Sequence, residues 1–175
     1  VGIINAYNFM DGINGITGLN TLVVMGSLLY INKEIQVFTQ SSFIIYGMVA
    51  SLVFLFFNYR KKAKCFAGDI GSFSISFWII TLIAGFIIYT GNYKYLLFLT
   101  VYGVDSVLTI LERLKLKENI FDAHRKHLYQ LLVNEKKQSH LLISFVYAMV
   151  QVLVNYLLIA TDFSFGYYFL IIVVP

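Results

Sequence analysis

Five apolar runs, at about 13–31, 42–59, 72–90, 95–111 and 141–159, hold between them a single charged side chain, Asp105. Each approaches the roughly 20 residues that a helix needs to cross a bilayer core. A sixth run starts near Gly166 and stops at Pro175 after ten residues, too few to cross. Hydrophobic residues make up 59% of the chain and charged residues 13%. A soluble domain is nearer about 45–50% apolar and about 25% charged. With a mean hydropathy of +0.76, the chain is neither a soluble globular domain nor a disordered segment. Sixteen Phe and thirteen Tyr suit rings at a membrane interface. One cysteine excludes a disulfide framework and a cysteine-only metal site. The expected fold is an all-α polytopic membrane protein of about five complete transmembrane helices plus a truncated sixth.

Alternating crossings sort the loops into two sets. Segments 58–71 and 112–140 carry eleven Lys and Arg, whereas 32–41, 91–94 and 160–165 carry only Lys33 and Lys94. By the positive-inside rule the first set, with the N-terminal segment 1–12, faces the cytoplasm. The chain opens at Val1 on its densest polar motif, with no initiator Met or signal peptide. Residues 1–175 therefore read as the C-terminal part of a larger membrane-embedded domain, with helices expected before Val1.

The polar clusters crowd the cytoplasmic side. In Asn5-Ala-Tyr-Asn8-Phe-Met-Asp11-Gly12-Ile-Asn14-Gly15, the spacing of three puts Asn5, Asn8 and Asp11 on one helical face. Gly12 and Gly15 follow and permit close approach of a ligand to the backbone. Amides beside a carboxylate suit a base, a sugar or a hydrated cation; a polar cap at the membrane boundary is the alternative, and the residues leave both open. In Arg60-Lys-Lys-Ala-Lys64-Cys-Phe66-Ala-Gly68-Asp69-Ile-Gly71-Ser72, the basic residues read as topological anchors. Asp69 lies between glycines at a helix N-terminus, where free N–H groups favour phosphate. A carboxylate there can hold Mg²⁺ against a bound phosphate. Phe66 suits stacking on a base, or anchoring at the interface.

In Asp122-Ala-His124-Arg125-Lys126-His127-Leu-Tyr129-Gln130, two histidines and an arginine make an anion site rather than a zinc site. The alternative is a solvated basic helix lying on anionic lipid. This stretch reads as a short amphipathic helix with Phe121, Leu128, Leu131 and Leu132 on its apolar side. Asp105, Thr109 and Arg113 recur at every fourth position of one crossing. An intramembrane carboxylate is either functional or a polar contact between helices. Gln151 and Asn155 read as interhelical hydrogen-bonding residues, Cys65 and Trp78 as structural, and His140 as interfacial.

Together these motifs resemble those of the polyprenyl-phosphate N-acetylhexosamine-1-phosphate transferases (glycosyltransferase family 4). NAYNFMDGINGITG is similar to the family's Asn-x-x-Asn-x-x-Asp-Gly-x-Asp-Gly motif, in wording most like the branch that initiates O-antigen or capsule repeats. CFAGDIGS resembles the family's Gly-Asp loop, DSVLTILERL its Asp-x-x-x-Thr-x-x-x-Arg helix, and FDAHRKHLYQLL its His-Arg-x-His motif. The resemblance spans about residues 1–133. Asn14 replaces the motif's second aspartate, and Tyr129 and Gln130 stand where many relatives carry histidines.

The resemblance implies transfer of an N-acetylhexosamine 1-phosphate from a UDP-sugar to undecaprenyl phosphate, with release of UMP. It implies a cell-envelope enzyme of the bacterial plasma membrane, with its active site on the cytoplasmic face. Mg²⁺ is the implied cofactor, with Mn²⁺ as an alternative, and Asp69 its ligand. Catalytic roles follow for Asp11, Asp69 and His124. Substrate contacts follow for Asn5, Asn8, Gly12, Asn14, Phe66, Arg125 and His127. The implied partners are the UDP-N-acetylhexosamine, undecaprenyl phosphate and the bilayer, with no nucleic acid; a homodimer is compatible. The alternatives are a transporter segment, with Asp105 as its ion site, and a non-catalytic membrane scaffold.

The charge asymmetry sets a topology test. A cysteine placed by Gln36→Cys should react with an impermeant maleimide on intact cells, and one placed by Glu118→Cys should not. The reverse pattern would invert the proposed active-site side.

Overall fold

The computed structural model describes residues 2–119, 125–161 and 166, and these are helical throughout apart from short turns. The helices are α1 (Gly2–Met10), α2 (Ile16–Tyr30), α3 (Ser41–Asn58), α4 (Gly68–Thr90), α5 (Thr100–Lys115), α6 (Leu128–Asn134) and α7 (His140–Ala160). A π turn, Ile31–Ile35, extends α2, and a 3-10 segment, Tyr93–Leu99, leads into α5. His124 and the run from 167 to 175 lie outside the described residues, so the expected sixth segment does too.

Four of the five expected crossings are present as helices long and apolar enough to span a membrane: Ser41–Asn58, Gly68–Thr90, Tyr93–Lys115 and His140–Ala160. The remaining run, 13–31, differs. Its first residues form a turn, and α2 begins only at Ile16, after Gly15 at φ +90°. Fifteen helical residues span about 22 Å, short of a roughly 30 Å core without the π turn that follows. This helix is the centre of the bundle, packed by α3, α7 and α4. Being surrounded by protein, it carries buried Thr17, Asn20 and Thr21 along with Val24, Met25 and Leu28. The outer helices instead turn Phe56, Phe77, Leu153 and Tyr156 outward, as a lipid-facing surface does.

Polar side chains join the helices at both depths. The Gln151 Oε1 accepts the Val101 N–H at 3.0 Å, satisfying a free donor in the first turn of α5. Its Nε2 donates to Asn155 Oδ1 at 2.7 Å, and Asn155 Nδ2 donates to Ser27 Oγ at 2.9 Å. Both residues thus make the interhelical bonds expected of them. At one end, Asn32 closes the loop to α3: its Oδ1 accepts from the Phe38 and Thr39 N–H groups at 2.9 and 3.0 Å. The opposite end gathers the 11–15 turn, the 59–67 loop, the described part of 116–127, and the start of α7. The two loop sets separated by charge therefore lie at opposite ends of the bundle.

Gly15 shows how tightly that second end is closed. A Cβ built on it would stand 2.2 Å from the Tyr59 ring, at a φ that L-residues rarely adopt. Gly15→Ala should lower stability by about 1–3 kcal/mol, read as a lower Tm in detergent. Gly85→Ala, where a Cβ meets nothing within 4 Å, should leave Tm unchanged or raise it.

Candidate active site at the motif end

The N-terminal motif is built against the start of α4. α1 ends at Met10, and the Asp11 N–H still reaches the Asn8 carbonyl at 3.3 Å, so the spacing of three continues past the helix end. Asn8 Oδ1 accepts from Ser72 Oγ at 3.0 Å. Asp11 Oδ1 accepts from Thr17 Oγ1 at 2.7 Å, and its Oδ2 accepts the Gly68 N–H at 3.2 Å. Burial pushes the Asp11 carboxyl above the usual carboxylate range, and these two hydrogen bonds pull against that rise. Asn5, one turn earlier, is exposed.

Asp11 thereby ties the motif to the residue just before Asp69. Asp69 sits in the first turn of α4 and is exposed, as are Gly68 and Phe66. The N-terminus of a 23-residue helix adds positive dipole at that point. An exposed carboxylate there fits a partly hydrated Mg²⁺, which takes one or two carboxylates and completes its shell with water and substrate oxygens. Among the described residues no group of three or more His, Cys, Asp or Glu forms a self-sufficient metal cage. The donor set therefore fits a metal that arrives with its phosphate ligand.

Two residues of the motif do structural work. Asn14 is buried; its Nδ2 donates to the Arg60 carbonyl at 2.7 Å, and its own carbonyl accepts from Ser144 Oγ at 2.8 Å. Gly12 does make room for close approach, but a protein side chain uses it. A Cβ there would lie 2.2 Å from the Tyr129 hydroxyl. That hydroxyl donates to the Phe9 carbonyl at 2.8 Å. Burial, with Asp105 and Asp11 nearby, raises the Tyr129 phenol, so it remains a proton donor.

Asn58 bridges the two motifs. Its Oδ1 accepts the Gly15 N–H at 2.6 Å, and its Nδ2 donates to the Cys65 carbonyl at 2.8 Å. Arg60 folds back on α3, donating to the Phe56 carbonyl at 2.6 Å, which accords with an anchoring role.

The histidine segment is held from below by Asp105. Its Oδ1 receives His127 Nδ1 at 3.0 Å and the Leu128 N–H at 3.1 Å; its Oδ2 receives the Tyr147 hydroxyl at 2.8 Å. Of the two readings of this carboxylate, the structure favours the polar contact. Such saturation also argues against an ion-coupling site. Arg113, at the same helix face, pairs with Glu118 at 3.3 Å and donates to the Asn119 carbonyl. Lys126 closes the loop onto Glu118 and keeps that carboxyl ionised below its usual range.

His127 is consequently 2% exposed, while Arg125 two residues earlier is exposed. α6 differs from the expected amphipathic pattern: Tyr129 and Val133 are its buried residues, and Leu128 points out. Phe121 lies outside the described residues. Tyr129 is buried because the bundle supplies a pocket for it beneath Gly12, which α6's own sequence gives no sign of.

Two cavities flank the segment. A polar one of about 390 Å³ is lined by Gly12, Ile13, Arg125, Gln130, Asn134 and His140. An apolar one of about 520 Å³ runs between α5, α6 and α7, lined by Val104, Leu108, Leu131, Leu132 and Val150, with Lys126 also on its wall. The sequence left Asn134 unmarked, gave Gln130 only as a departure from the family motif and read His140 as interfacial. Their only signal was polarity next to a basic motif, and only the packing of α7 beside the 11–15 turn joins them.

Polar loops thus meet at one end of a bundle of membrane-spanning-length helices. A model of glycosyl transferase family 4 matches residues 1–104, more than half of the chain. The chain belongs to this family. It is similar to phospho-N-acetylmuramoyl-pentapeptide-transferase of Streptococcus thermophilus, 35% identical over 78 residues, 43% of this chain and 22% of that protein. The protein of the same name from Carboxydothermus hydrogenoformans is 32% identical over 116 residues, 64% of this chain and 33% of that protein. The chain thus spans between about a fifth and a third of the curated relatives it matches.

The Asp105 clamp makes a testable demand. Removing one partner of a buried, hydrogen-bonded pair is expected to cost about 3–5 kcal/mol, so Asp105→Ala should sharply lower Tm and speed trypsin cleavage after the already exposed Lys115 and Lys117. Tyr147→Phe removes one hydrogen bond and should cost only about 1 kcal/mol. Equal effects from the two would show that Asp105 is not the hub.

Proposed function

We propose that this chain forms part of a phosphosugar transferase that moves an N-acetylhexosamine 1-phosphate from a UDP-sugar to undecaprenyl phosphate. The observation that carries the reading is the Asp11–Gly68 hydrogen bond, which brings the Asn/Asp motif to the exposed Asp69. The Arg125 segment reaches the same motif from the other side: Tyr129 docks on the Phe9 carbonyl, and the polar cavity joins Arg125 to Gly12. Family membership and the names of the relatives support the reaction class. The basic loops around this end support a cytoplasmic site.

In the proposed reaction an oxygen of the lipid phosphate attacks the sugar-bearing phosphorus of the UDP-sugar in line. The bond from that phosphorus to the bridging oxygen breaks, and UMP leaves with the electron pair. Asp69 would hold Mg²⁺, which when bound neutralises diphosphate charge. Arg125 presents an exposed bidentate donor to the phosphate oxygens. Asp11 keeps Gly68 and the α4 N-terminus aimed at the anion, and its carboxylate takes any proton still carried by the attacking phosphate. The apolar cavity beside Lys126 offers a prenyl chain a path into the bilayer, with a cation on its wall for the lipid's phosphate. His124 is proposed as a further phosphate donor from the resemblance alone.

Assays of the full-length protein, following UMP release from UDP-N-acetylhexosamine and undecaprenyl phosphate, test the roles. Asp69→Asn should keep expression and insertion but leave under about a tenth of wild-type kcat, a barrier increase above roughly 1.4 kcal/mol. Chelating divalent cations should stop turnover and Mg²⁺ should restore it. Arg125→Lys should be harmful although it keeps the charge, because the planar fork is lost. A silent Arg125→Lys, or a fully active Asp69→Asn, would overturn these assignments.

A further inference from the structure

Beneath Asp11 a line of buried polar side chains runs into the interior of the bundle. Thr17, in the first turn of α2, is 1% exposed and donates its one hydroxyl hydrogen to Asp11 Oδ1 at 2.7 Å. The next hydroxyls of α2 behave differently. Thr21 donates to the Thr17 carbonyl at 2.7 Å and Ser27 to the Val23 carbonyl at 2.9 Å, the local back-bond open to a helical Ser or Thr. Thr17 turns across to Asp11 instead, so a further contact has to hold its hydroxyl in that direction.

Tyr102 of α5 is placed to do so. Its buried ring packs on Tyr7 of α1, with centroids 4.9 Å apart. Tyr7 is fixed in turn by the Asn20 amide, which donates to its hydroxyl at 3.2 Å. The Tyr102 hydroxyl faces Thr17 and lies within the field of Asp11. It closes no hydrogen bond among the described residues, and a buried hydroxyl left in that state is costly. The Thr17 oxygen, with its hydrogen directed at Asp11, has only lone pairs to offer a neighbour. The phenol has one hydrogen to give. Donor and acceptor therefore match in one direction, from Tyr102 to Thr17 to Asp11, and a hydroxyl that receives a hydrogen bond donates a stronger one.

We infer that Tyr102 is a positioning residue for Asp11, acting through the Thr17 hydroxyl. Tyr102 orients the Thr17 hydroxyl. Thr17 then holds one oxygen of Asp11 while the Gly68 N–H is held by the other, and the carboxylate stays fixed against the start of α4. Without the phenol, Thr17 is free to turn its hydrogen to a local carbonyl, as Thr21 and Ser27 do, and Asp11 loses one of its two donors. The inference rests on the role proposed for Asp11 above and names a residue that no motif of the sequence includes.

A double-mutant cycle in the full-length protein tests it, with Tm measured for every variant. The assay follows UMP release with undecaprenyl phosphate and either UDP-GlcNAc or UDP-MurNAc-pentapeptide, whichever is turned over. Tyr102→Phe keeps the ring and should lower kcat about fivefold, the scale of one neutral hydrogen bond, with the UDP-sugar KM unchanged. Thr17→Val should lower kcat about tenfold, and Thr17→Ser, which keeps the hydroxyl, should preserve it. Adding Tyr102→Phe to Thr17→Val should change nothing further, because the phenol acts only through that hydroxyl. Ser106→Ala removes another buried hydroxyl of α5 that closes no hydrogen bond, and should leave kcat at the wild-type value. If Thr17→Val fails to fold, Thr17→Ala takes its place in the cycle. Effects that multiply in the double variant, a silent Tyr102→Phe, or an equal loss in Ser106→Ala would overturn the link while leaving the transferase reading intact. A wild-type protein that releases no UMP, or an Asp11→Asn variant with full kcat, would remove the role of Asp11 and the link with it.

Discussion

Asp105 is the one charged side chain within the apolar runs, and it receives hydrogen bonds from a ring, a backbone amide and a phenol: His127, Leu128 and Tyr147. A carboxylate at that depth is tolerable only when its acceptor capacity is filled. Filling it brings α5, α6 and α7 to one point. The position of Arg125, the docking of Tyr129 and the polar cavity all follow from that convergence. Without it, the segment after α5 would have no reason to return to the N-terminal motif.

A second set of bonds completes the end of the bundle in the same manner. Asn58 satisfies a donor at Gly15 and an acceptor at Cys65, while Asp11 receives Thr17 and Gly68. Each polar side chain joins segments distant in sequence, and each lies at the edge of the apolar zone. Buried backbone groups in turns must find partners. Here those partners are the asparagines and aspartates of the motifs. The same residues that read as ligand-binding in sequence thus also hold the loops in shape, with Asp69, Arg125 and Phe66 left exposed.

This division explains why motif residues separate in the structure. Asn14 and His127 are buried and bonded within the protein, so their contribution to any ligand passes through the geometry they impose. Gly12 admits Tyr129 rather than a ligand on the side where its Cβ would be. Tyr129 fills that space with a ring and one hydroxyl hydrogen bond. Beside it lies the polar cavity, into whose lining His140 enters from α7.

Hydropathy and charge determined the helical class, four of the crossings and the grouping of loops, because lipid exposure and the placement of Lys and Arg act on each segment separately. Spacing determined that Asn8 and Asp11 share a face and that Gln151 and Asn155 bond across helices, since helical periodicity is local. The length of α2 was not legible: its start depends on Gly15 packing against Tyr59, and its polar residues are tolerated only because α3, α4 and α7 surround it. Nor was the choice between roles for Asp105, which rests on donors up to 42 residues away. Tertiary structure decided these because a polar group's meaning is set by whichever partner packing delivers to it, and packing joins residues that sequence keeps apart.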